Sequence, residues 1–132
     1  MATKKSSLTK YKASLVEASC EIDQIYNDYE LGFVHEKINY ILRVDKDDDG
    51  FVEIILPYEL DGEPDFSKRY EVCNHIAKTY KLVKCFYVED GVYVSVETFV
   101  KSVEDFKRVL QYSLISLDVA YTDAVTNFPD GV

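Results

Sequence analysis

The sequence contains few of the residue patterns on which enzymes and metal sites depend. Its 132 residues include three cysteines, two histidines and five glycines that stand far apart. No GxSxG, HExxH, GxxxxGK[ST] or GxGxxG motif occurs, which excludes the hydrolase, zinc-protease and phosphate-binding segments that these motifs form. Neither histidine has an obvious partner set in the sequence. The sequence therefore predicts no catalytic residues, no metal ligands and no cofactor.

Long apolar runs are also missing. No stretch approaches the roughly 20 apolar residues that a membrane-spanning helix needs. Residues 1–12 are polar and basic with no apolar segment behind them, so no signal peptide is predicted. Cys20, Cys73 and Cys85 form no CxxC pair and lie among apolar neighbours, which favours reduced, structural thiols. These features predict a cytoplasmic protein without a membrane partner.

The formal net charge of −9 argues against general nucleic-acid binding, because phosphate backbones are attracted to cationic surfaces. The charge is uneven along the chain. Residues 45–65 carry nine acids and one lysine, whereas residues 66–88 carry five basic residues and one acid. The basic stretch is one place where an acidic partner could bind, but a solvated helix face is the interpretation we favour.

With 47% apolar residues, the chain is long enough to bury a core without disulfides or metals. We expect a single domain over residues 1–132, with flexible tails at 1–6 and 127–132. Apolar residues at three- and four-residue spacing predict a first helix of about 24 residues. It would begin near Ser7 and end at Gly32, in the left-handed position that glycine favours. Its stripe is Leu8, Tyr11, Leu15, Ala18, Ile22, Ile25 and Tyr29.

Alternating patterns predict two hairpins. The first has strands at 38–45 and 51–58 with an Asp-Gly step at Gly50, and glycine tolerates the positive φ that such turns need. The second has strands at 82–89 and 92–100, joined by a tight Asp90-Gly91 turn.

Two further helices are predicted. Asp65 would cap the second helix, and Ser102 would cap the last one by bonding the amide of Asp105. The inward face of the second helix would be Phe66, Tyr70, Cys73, Ala77 and Tyr80. The stripe of the last helix would be Val103, Phe106, Leu110, Leu114, Leu117, Tyr121 and Ala124. The order α-ββ-α-ββ-α predicts an α+β fold with an antiparallel sheet from two hairpins and three helices. Since no βαβ unit is predicted, a doubly wound dinucleotide-binding crevice is not expected.

Residues 45–50 match the opening of an EF-hand calcium loop, with acids at positions 1, 3 and 5 and glycine at position 6. Position 12 is Leu56, where a bidentate glutamate belongs, and strands flank the loop instead of helices. An acidic hairpin tip is the favoured interpretation. Weak calcium binding stays open as an alternative.

The eleven tyrosines suit core margins or a protein-binding face, because the ring packs while the hydroxyl remains hydrated. The first and last predicted helices are also longer than one small sheet requires, so leftover apolar surface predicts a homodimer. The alternative is that both helices pack against the same sheet face of one chain and leave no apolar surface exposed. The candidate interface residues are Leu8, Tyr11, Leu15, Ile22, Tyr40, Tyr93 and Tyr112.

The order of elements and the hairpin sequences carry a resemblance to a known family. The stretches are Tyr40-Ile41-Leu42-Arg43-Val44-Asp45, Asp49-Gly50-Phe51-Val52-Glu53-Ile54, Leu56-Pro57-Tyr58 and Tyr87-Val88-Glu89-Asp90-Gly91-Val92-Tyr93-Val94-Ser95-Val96. Over about residues 7–125 the chain resembles the bacterial YbjN-type family, whose members are described as sensory transduction regulators. The resemblance implies a type III secretion chaperone-like fold, no catalytic residues, and small dimers whose sheet and helices contact other proteins.

These features favour a non-enzymatic protein-interaction module, chaperone-like or regulatory, that binds a segment of another protein. The alternatives are a small-ligand binder or enzyme with a pocket between sheet and helices, and a weak calcium binder at residues 45–50. A deep polar pocket with convergent titratable groups would favour the ligand binder or enzyme. A flat, apolar groove rimmed by tyrosines would favour the interaction module.

Overall fold

The computed structural model describes residues 8–59, 66–88 and 91–127, which form three helices and six strands. The elements are α1 (Thr9–Glu17), β1 (Glu21–Ile25), β2 (Glu30–His35), β3 (Ile38–Val44), β4 (Phe51–Glu59), α2 (Phe66–Thr79), β5 (Val83–Val88), β6 (Gly91–Phe99) and α3 (Val103–Asn127). One sheet contains all six strands in the order β1-β2-β3-β4-β6-β5, and every neighbouring pair is antiparallel. The α+β class and both predicted hairpins are confirmed.

The first helix is much shorter than predicted, because it ends at Glu17. Ser19 adopts a left-handed φ of 63°. The amide of Ser19 donates to the carbonyl of Val16, and the amide of Cys20 donates to the carbonyl of Leu15. These two bonds form a Schellman motif, which satisfies carbonyls at the helix end and turns the chain away. A serine occupies the position that glycine usually fills, so the sequence gives little warning of the end.

Two strands, β1 and β2, replace the second half of the predicted helix. The order is therefore α-ββββ-α-ββ-α, and the predicted order α-ββ-α-ββ-α is wrong. Gly32 pairs with Ile41 inside the sheet and caps no helix. The turn between β2 and β3 consists of Glu36 and Lys37, whose φ values of 48° and 69° are both positive. Two positive φ values match the twist of a two-residue hairpin, although neither residue is one that usually marks such a turn.

The core lies on one face of the sheet. Alternate residues of the central strands point to this face and are buried, for example Leu42 and Ile54. They pack in one cluster with side chains from α1, α2 and α3. Tyr11 of α1 lies against Phe106 of α3 with ring centroids 4.3 Å apart. All three described helices thus cover the same side, and the opposite side is called the helix-free face below.

The buried face of α2 differs from the predicted one. Arg69, Val72 and Ile76 are buried, whereas Phe66 and Tyr70 are about half exposed and Ala77 is exposed. Both sets of positions have helical spacing, so periodicity alone could not select between them. Cys73 and Tyr80, also predicted as inward, are partly buried at the margin of the core. The predicted cap, Asp65, lies outside the described residues.

The last helix follows its prediction closely. The Asp105 amide donates to the Ser102 hydroxyl at 3.1 Å, which confirms the predicted cap. Five of the seven predicted stripe residues are buried, and Val103 and Tyr121 are partly buried. Asn127, predicted as part of a tail, is the last residue of α3. No helix in the described ranges combines the length and apolar character that a membrane span requires. The predicted tail 1–6, the rest of the tail after Asn127 and the predicted turn residue Asp90 lie outside the described residues.

Candidate functional site

A row of charged side chains crosses four strands on the helix-free face. Glu30 pairs with Arg43 in the sheet register, Arg43 pairs with Glu53, and Glu53 pairs with Glu97. These residues alternate with core residues such as Leu42 and Ile54, so they point away from the helices. Side chains alternate between the two faces of each strand, and these four residues are aligned across four neighbouring strands. They therefore lie side by side on the same face of the sheet.

The guanidinium of Arg43 joins two carboxylates of the row. Its Nε donates to Oε2 of Glu30 at 3.2 Å, and its Nη1 donates to Oε1 of Glu53 at 3.1 Å. Asn27 also donates to Glu30, at 3.2 Å. The hydrogen bond from Asn27, together with the bond and charge of Arg43, lowers the pKa of Glu30 in spite of partial burial. Glu30 is therefore ionised at neutral pH.

Glu53 is the most buried member of the charged row. Its side chain is only 9% exposed, and Arg43 bonds one of its two oxygens. Burying a carboxylate is costly unless its oxygens are paired. Glu97, the next member, takes an ion pair with Lys84 at 3.2 Å on the edge strand β5. Arg43 and Lys84 of the same sheet thus hold the glutamates of the row by ion pairs. Among the described residues, no donor bonds the second carboxylate oxygen of Glu53.

A cavity of about 420 Å³ opens over this row. Its volume lies within the range of known ligand sites. Four carboxylates and two cations line it, together with aromatic and polar side chains. The lining residues are Asn27, Tyr29, Glu30, Arg43, Val44, Asp45, Lys46, Phe51, Glu53 and Glu97. The cavity lies on the helix-free face, so it is not the pocket between sheet and helices that the ligand-binding alternative expects.

Aromatic side chains extend the helix-free face beyond the cavity. Phe51 contacts Phe99 across the β4–β6 pair with ring centroids 4.8 Å apart, and Phe99 is largely exposed. Phe86 and Tyr93 form a second pair at 5.7 Å. The face therefore combines carboxylates with rings that remain accessible to a binding partner.

The seven predicted interface residues do not lie together on one surface. Leu8, Tyr11, Leu15 and Tyr40 are buried in the core, so they stabilise the monomer and face no solvent. The other three are accessible to different degrees: Ile22 and Tyr93 are partly buried, and Tyr112 is exposed. Only Tyr93 lies on the helix-free face.

Two carboxylates of the acidic turn accept backbone amides within the turn, and a third, Asp49, forms an ion pair with Lys10 of α1 at 3.5 Å. Asp45 accepts the amide of Asp47 at 3.1 Å, and Asp48 accepts the amide of Gly50 at 3.0 Å. Within the described parts of the chain, no three His, Cys, Asp or Glu side chains converge as a metal site would require. Gly50 does not adopt the positive φ expected of it, and a β-carbon there would lie 3.0 Å from the carbonyl oxygen of Val100. Glycine is needed at position 50 for this close approach.

His35 meets Cys20, a contact that joins residues distant in the sequence. The Cys20 sulfur lies 3.8 Å from Nδ1 of His35, and Glu36 lies 3.9 Å from the other ring nitrogen. Burial raises the pKa of Cys20 to about 11. The thiol is therefore protonated at neutral pH, and the arrangement does not activate a nucleophile.

His75 belongs to a polar contact between α2 and α3. Its Nε2 lies 3.1 Å from both carboxylate oxygens of Asp123, which also accepts hydrogen bonds from Tyr80 and Asn127. Burial alone would raise the pKa of Asp123, but the bonds from Tyr80, Asn127 and His75 outweigh it and lower the pKa. The bond to Asp123 raises the pKa of Tyr80 to about 12. This network joins two helices.

The charged row on the helix-free face was missed by sequence reasoning. Arg43 and Glu53 stand at mirrored positions around the turn at 46–50, so their pairing was available from the predicted hairpin. The position of Glu97 beside Glu53 could not be predicted, because nothing in the sequence shows that β4 pairs with β6. Comparison of the chain with protein-family models, curated proteins and solved structures gives no match. Membership of the YbjN-type family therefore stays a prediction.

Proposed function

We propose that this chain is a non-enzymatic interaction module that binds an extended, basic segment of a partner protein on the helix-free face. The observation that carries the proposal is the row of three glutamates beneath a 420 Å³ cavity on a sheet face that no described helix covers. Rings that are partly or largely accessible extend this face beyond the cavity, and a surface of that breadth suits a chain segment.

Charge complementarity selects a basic segment. The cavity carries more carboxylates than cations, and Arg43 already bridges Glu30 and Glu53. A lysine or arginine of a partner would supply the second oxygen of Glu53 with a donor. Tyr29 and Phe51 line the same cavity, and the faces of aromatic rings attract cations.

A small cationic ligand is the second candidate, because several titratable groups converge on the cavity. A protein segment is preferred because the aromatic surface continues past the cavity to Phe99, farther than a small amine would reach. The family resemblance, with its chaperone-like fold and contacts to other proteins, supports the same choice. A cytoplasmic location belongs to this proposal.

The proposal includes a homodimer, with α3 as the contact. Tyr112, Ile115 and Val119 are exposed and recur at three- and four-residue spacing on the side of α3 opposite its buried stripe. A two-fold axis through Ile115 would bring the same apolar residues of two antiparallel helices together, and like residues meet in this way in closed dimers. This surface leaves the helix-free face available to a partner.

Two labelled peptides of opposite charge test the binding proposal. An Arg-Val-Arg-Val-Arg peptide should bind, as measured by fluorescence anisotropy, and a Glu-Val-Glu-Val-Glu peptide should not. Amide shifts in ¹H–¹⁵N spectra should fall on β3, β4 and β6. Glu53→Gln and Glu97→Gln should each weaken binding about tenfold, the effect of roughly 1.4 kcal/mol. Glu104→Gln is the matched control, since Glu104 is an exposed glutamate on α3.

Three results would overturn the proposal: equal binding of both peptides, no binding of either, or equal weakening by Glu104→Gln. Agmatine, a small guanidinium compound, serves as the probe for the second candidate. If agmatine produces the same shifts as the basic peptide with equal affinity, the site takes a small cation and the protein-segment proposal is wrong.

A further inference from the structure

Helix α2 lies along the edge strand β5, and two ring contacts define how they are aligned. The Tyr70 ring meets the Tyr87 ring edge to face at 4.9 Å, and their hydroxyl oxygens are 2.9 Å apart. Phe66, one turn earlier in α2, also contacts Tyr87, at 5.6 Å. Alternate residues of a strand share a face, so Cys85 points to the same side as Tyr87.

The next positions along this interface are two cysteines. Cys73 follows Tyr70 by three residues, nearly one helical turn, and Cys85 precedes Tyr87 by two residues in the antiparallel direction. This alignment of α2 with β5 brings the two cysteine side chains next to each other. The interaction between their thiols lowers the pKa of Cys73. Both are free and partly buried, whereas the third cysteine, Cys20, is buried in the core. The fold therefore brings together two thiols that are twelve positions apart in the sequence and keeps the third away.

We propose that Cys73 and Cys85 are a redox modification site, at which a hydroperoxide converts the two thiols into a disulfide that links α2 to β5. The packing of α2 beside β5 places the two cysteines side by side across a helix–strand interface, and both side chains keep partial access to solvent. This site is independent of the binding proposal, because it lies on the helix-covered side of the sheet.

The chemistry proceeds in two steps. The Cys73 thiolate attacks one oxygen of the hydroperoxide, the O–O bond breaks, and Cys73 becomes a sulfenic acid while water or an alcohol leaves. The Cys85 sulfur then attacks the Cys73 sulfur and displaces hydroxide, which takes up the Cys85 proton and leaves as water. Two thiols are oxidised to one disulfide, and the peroxide is reduced.

The electrostatics of the pair assign the attacking role to Cys73. The hydrogen bond from Cys85 lowers the pKa of Cys73, and the same bond, with burial, raises the pKa of Cys85. Thiolate is the nucleophilic form of cysteine, so Cys73 reacts first and Cys85 resolves the sulfenic acid. Cys20, whose pKa burial raises, is the internal control.

The test treats the reduced, folded full chain with hydrogen peroxide and then alkylates the remaining thiols in denaturant. We expect a mass lower by two hydrogen atoms, one alkylated cysteine at position 20, and a proteolytic fragment in which the Cys73 and Cys85 peptides are joined. Three alkylated cysteines, or a disulfide that contains Cys20, would overturn the proposal.

Serine variants show which cysteines form the disulfide, and a check of folding separates this result from a loss of protein stability. Cys20→Ser should leave formation of the disulfide unchanged. Cys73→Ser should abolish it and leave Cys85 open to alkylation, and a circular dichroism spectrum checks that this variant is folded. If Cys85→Ser prevents accumulation of a Cys73 sulfenic acid, trapped with dimedone, the assignment of Cys73 as the attacking thiol is wrong.

Discussion

The Tyr26 ring lies across the backbone of Gly32, with its hydroxyl oxygen 3.0 Å from where a β-carbon on Gly32 would stand. Glycine inside a strand has no side chain to pack, which weakens the sheet at that point. An aromatic ring laid over such a glycine compensates for this loss. The half-exposed Tyr26 side chain therefore has a structural role that its exposure does not suggest.

Tyr26 and Gly32 should be energetically coupled. We expect Tyr26→Ala to lower the free energy of unfolding by about 1 kcal/mol, because it uncovers Gly32. Gly32→Ala alone should change little, since the exposed end of Tyr26 can shift by a few tenths of an ångström. In the Tyr26→Ala background, Gly32→Ala should restore roughly 0.5–1 kcal/mol, as alanine loses less entropy on folding. Urea unfolding of the wild type, the two single variants and the double variant measures this double-mutant cycle. If the two single effects add up to the effect of the double variant, the coupling is contradicted.

Leu15 and Val16 should differ strongly in the cost of truncation although they are neighbours on α1. Leu15 is fully buried, whereas Val16 is 62% exposed. Leu15→Ala should cost about 2–5 kcal/mol through lost burial and the cavity left behind. Val16→Ala should stay within roughly 0.5 kcal/mol. Denaturant titration of both variants measures this, and a small cost at Leu15 would show that α1 does not belong to the monomer core.

Removal of the Tyr80 hydroxyl should have a cost that depends on pH. Tyr80→Phe should lower the free energy of unfolding at neutral pH by roughly 1.5–3 kcal/mol, because the hydroxyl donates to the Asp123 carboxylate. The pKa of Asp123 is lowered, so its contribution is lost as pH falls through that folded value. The pKa of Tyr80 is raised to about 12, so its contribution is present below about pH 10 and lost as pH rises towards 12.

The difference in free energy of unfolding between the wild-type protein and Tyr80→Phe should therefore be smaller in acid and in alkali than at neutral pH. Urea unfolding at a series of pH values measures this difference. Tyr112→Phe is the matched control, since the Tyr112 hydroxyl donates to the backbone carbonyl of Lys81, which does not titrate in acid. A Tyr80→Phe cost that is constant from neutral pH to about pH 2 would contradict the assigned role of Asp123.

The dimer proposal makes a prediction about mass. Sedimentation equilibrium at micromolar concentration should give twice the 15.2 kDa of one chain. Ile115→Glu should give a folded monomer, because it places a charge in the exposed α3 stripe. Gln111→Glu, an exposed change on the same helix beside the stripe, should leave the dimer intact. A wild-type mass of one chain throughout this concentration range would refute the proposal.

The sequence predicted those elements whose signals are local. The alternation around the acidic turn places β3 and β4 within one residue of their ends, and the Ser102 cap marks the start of α3. The region before β3 could not be predicted in this way. Ile22 and Ile25 fit a helical period, and a bulge in the pairing of β1 between Ile22 and Gln24 breaks the strict alternation that would have indicated a strand. The left-handed residue that ends α1 is a serine, so the sequence lacks the glycine that would have indicated the end of a helix before β1.

The candidate site depends on long-range pairing, which a single sequence does not display. Arg43 and Glu53 belong to one hairpin, so their contact follows from the turn between them. Glu97 joins them only because β6 inserts between β4 and β5. The two thiols at positions 73 and 85 are close for a similar reason, because α2 packs beside the edge strand and not over the centre of the sheet.

The pairing of β4 with β6 also has a consequence for the way this chain is made. The nine-residue ladder from Phe51 to Glu59 forms with a strand that begins only at Gly91, after α2 and β5 have been synthesised. Until then one edge of β4 has no partner strand, and an unpaired edge is a template for aggregation. The acidic side chains of the turn before Phe51 lie at one end of this edge, and charged side chains at a strand edge oppose pairing with other chains. Release of the chain from the ribosome before β6 emerges would leave a four-stranded fragment with an open edge.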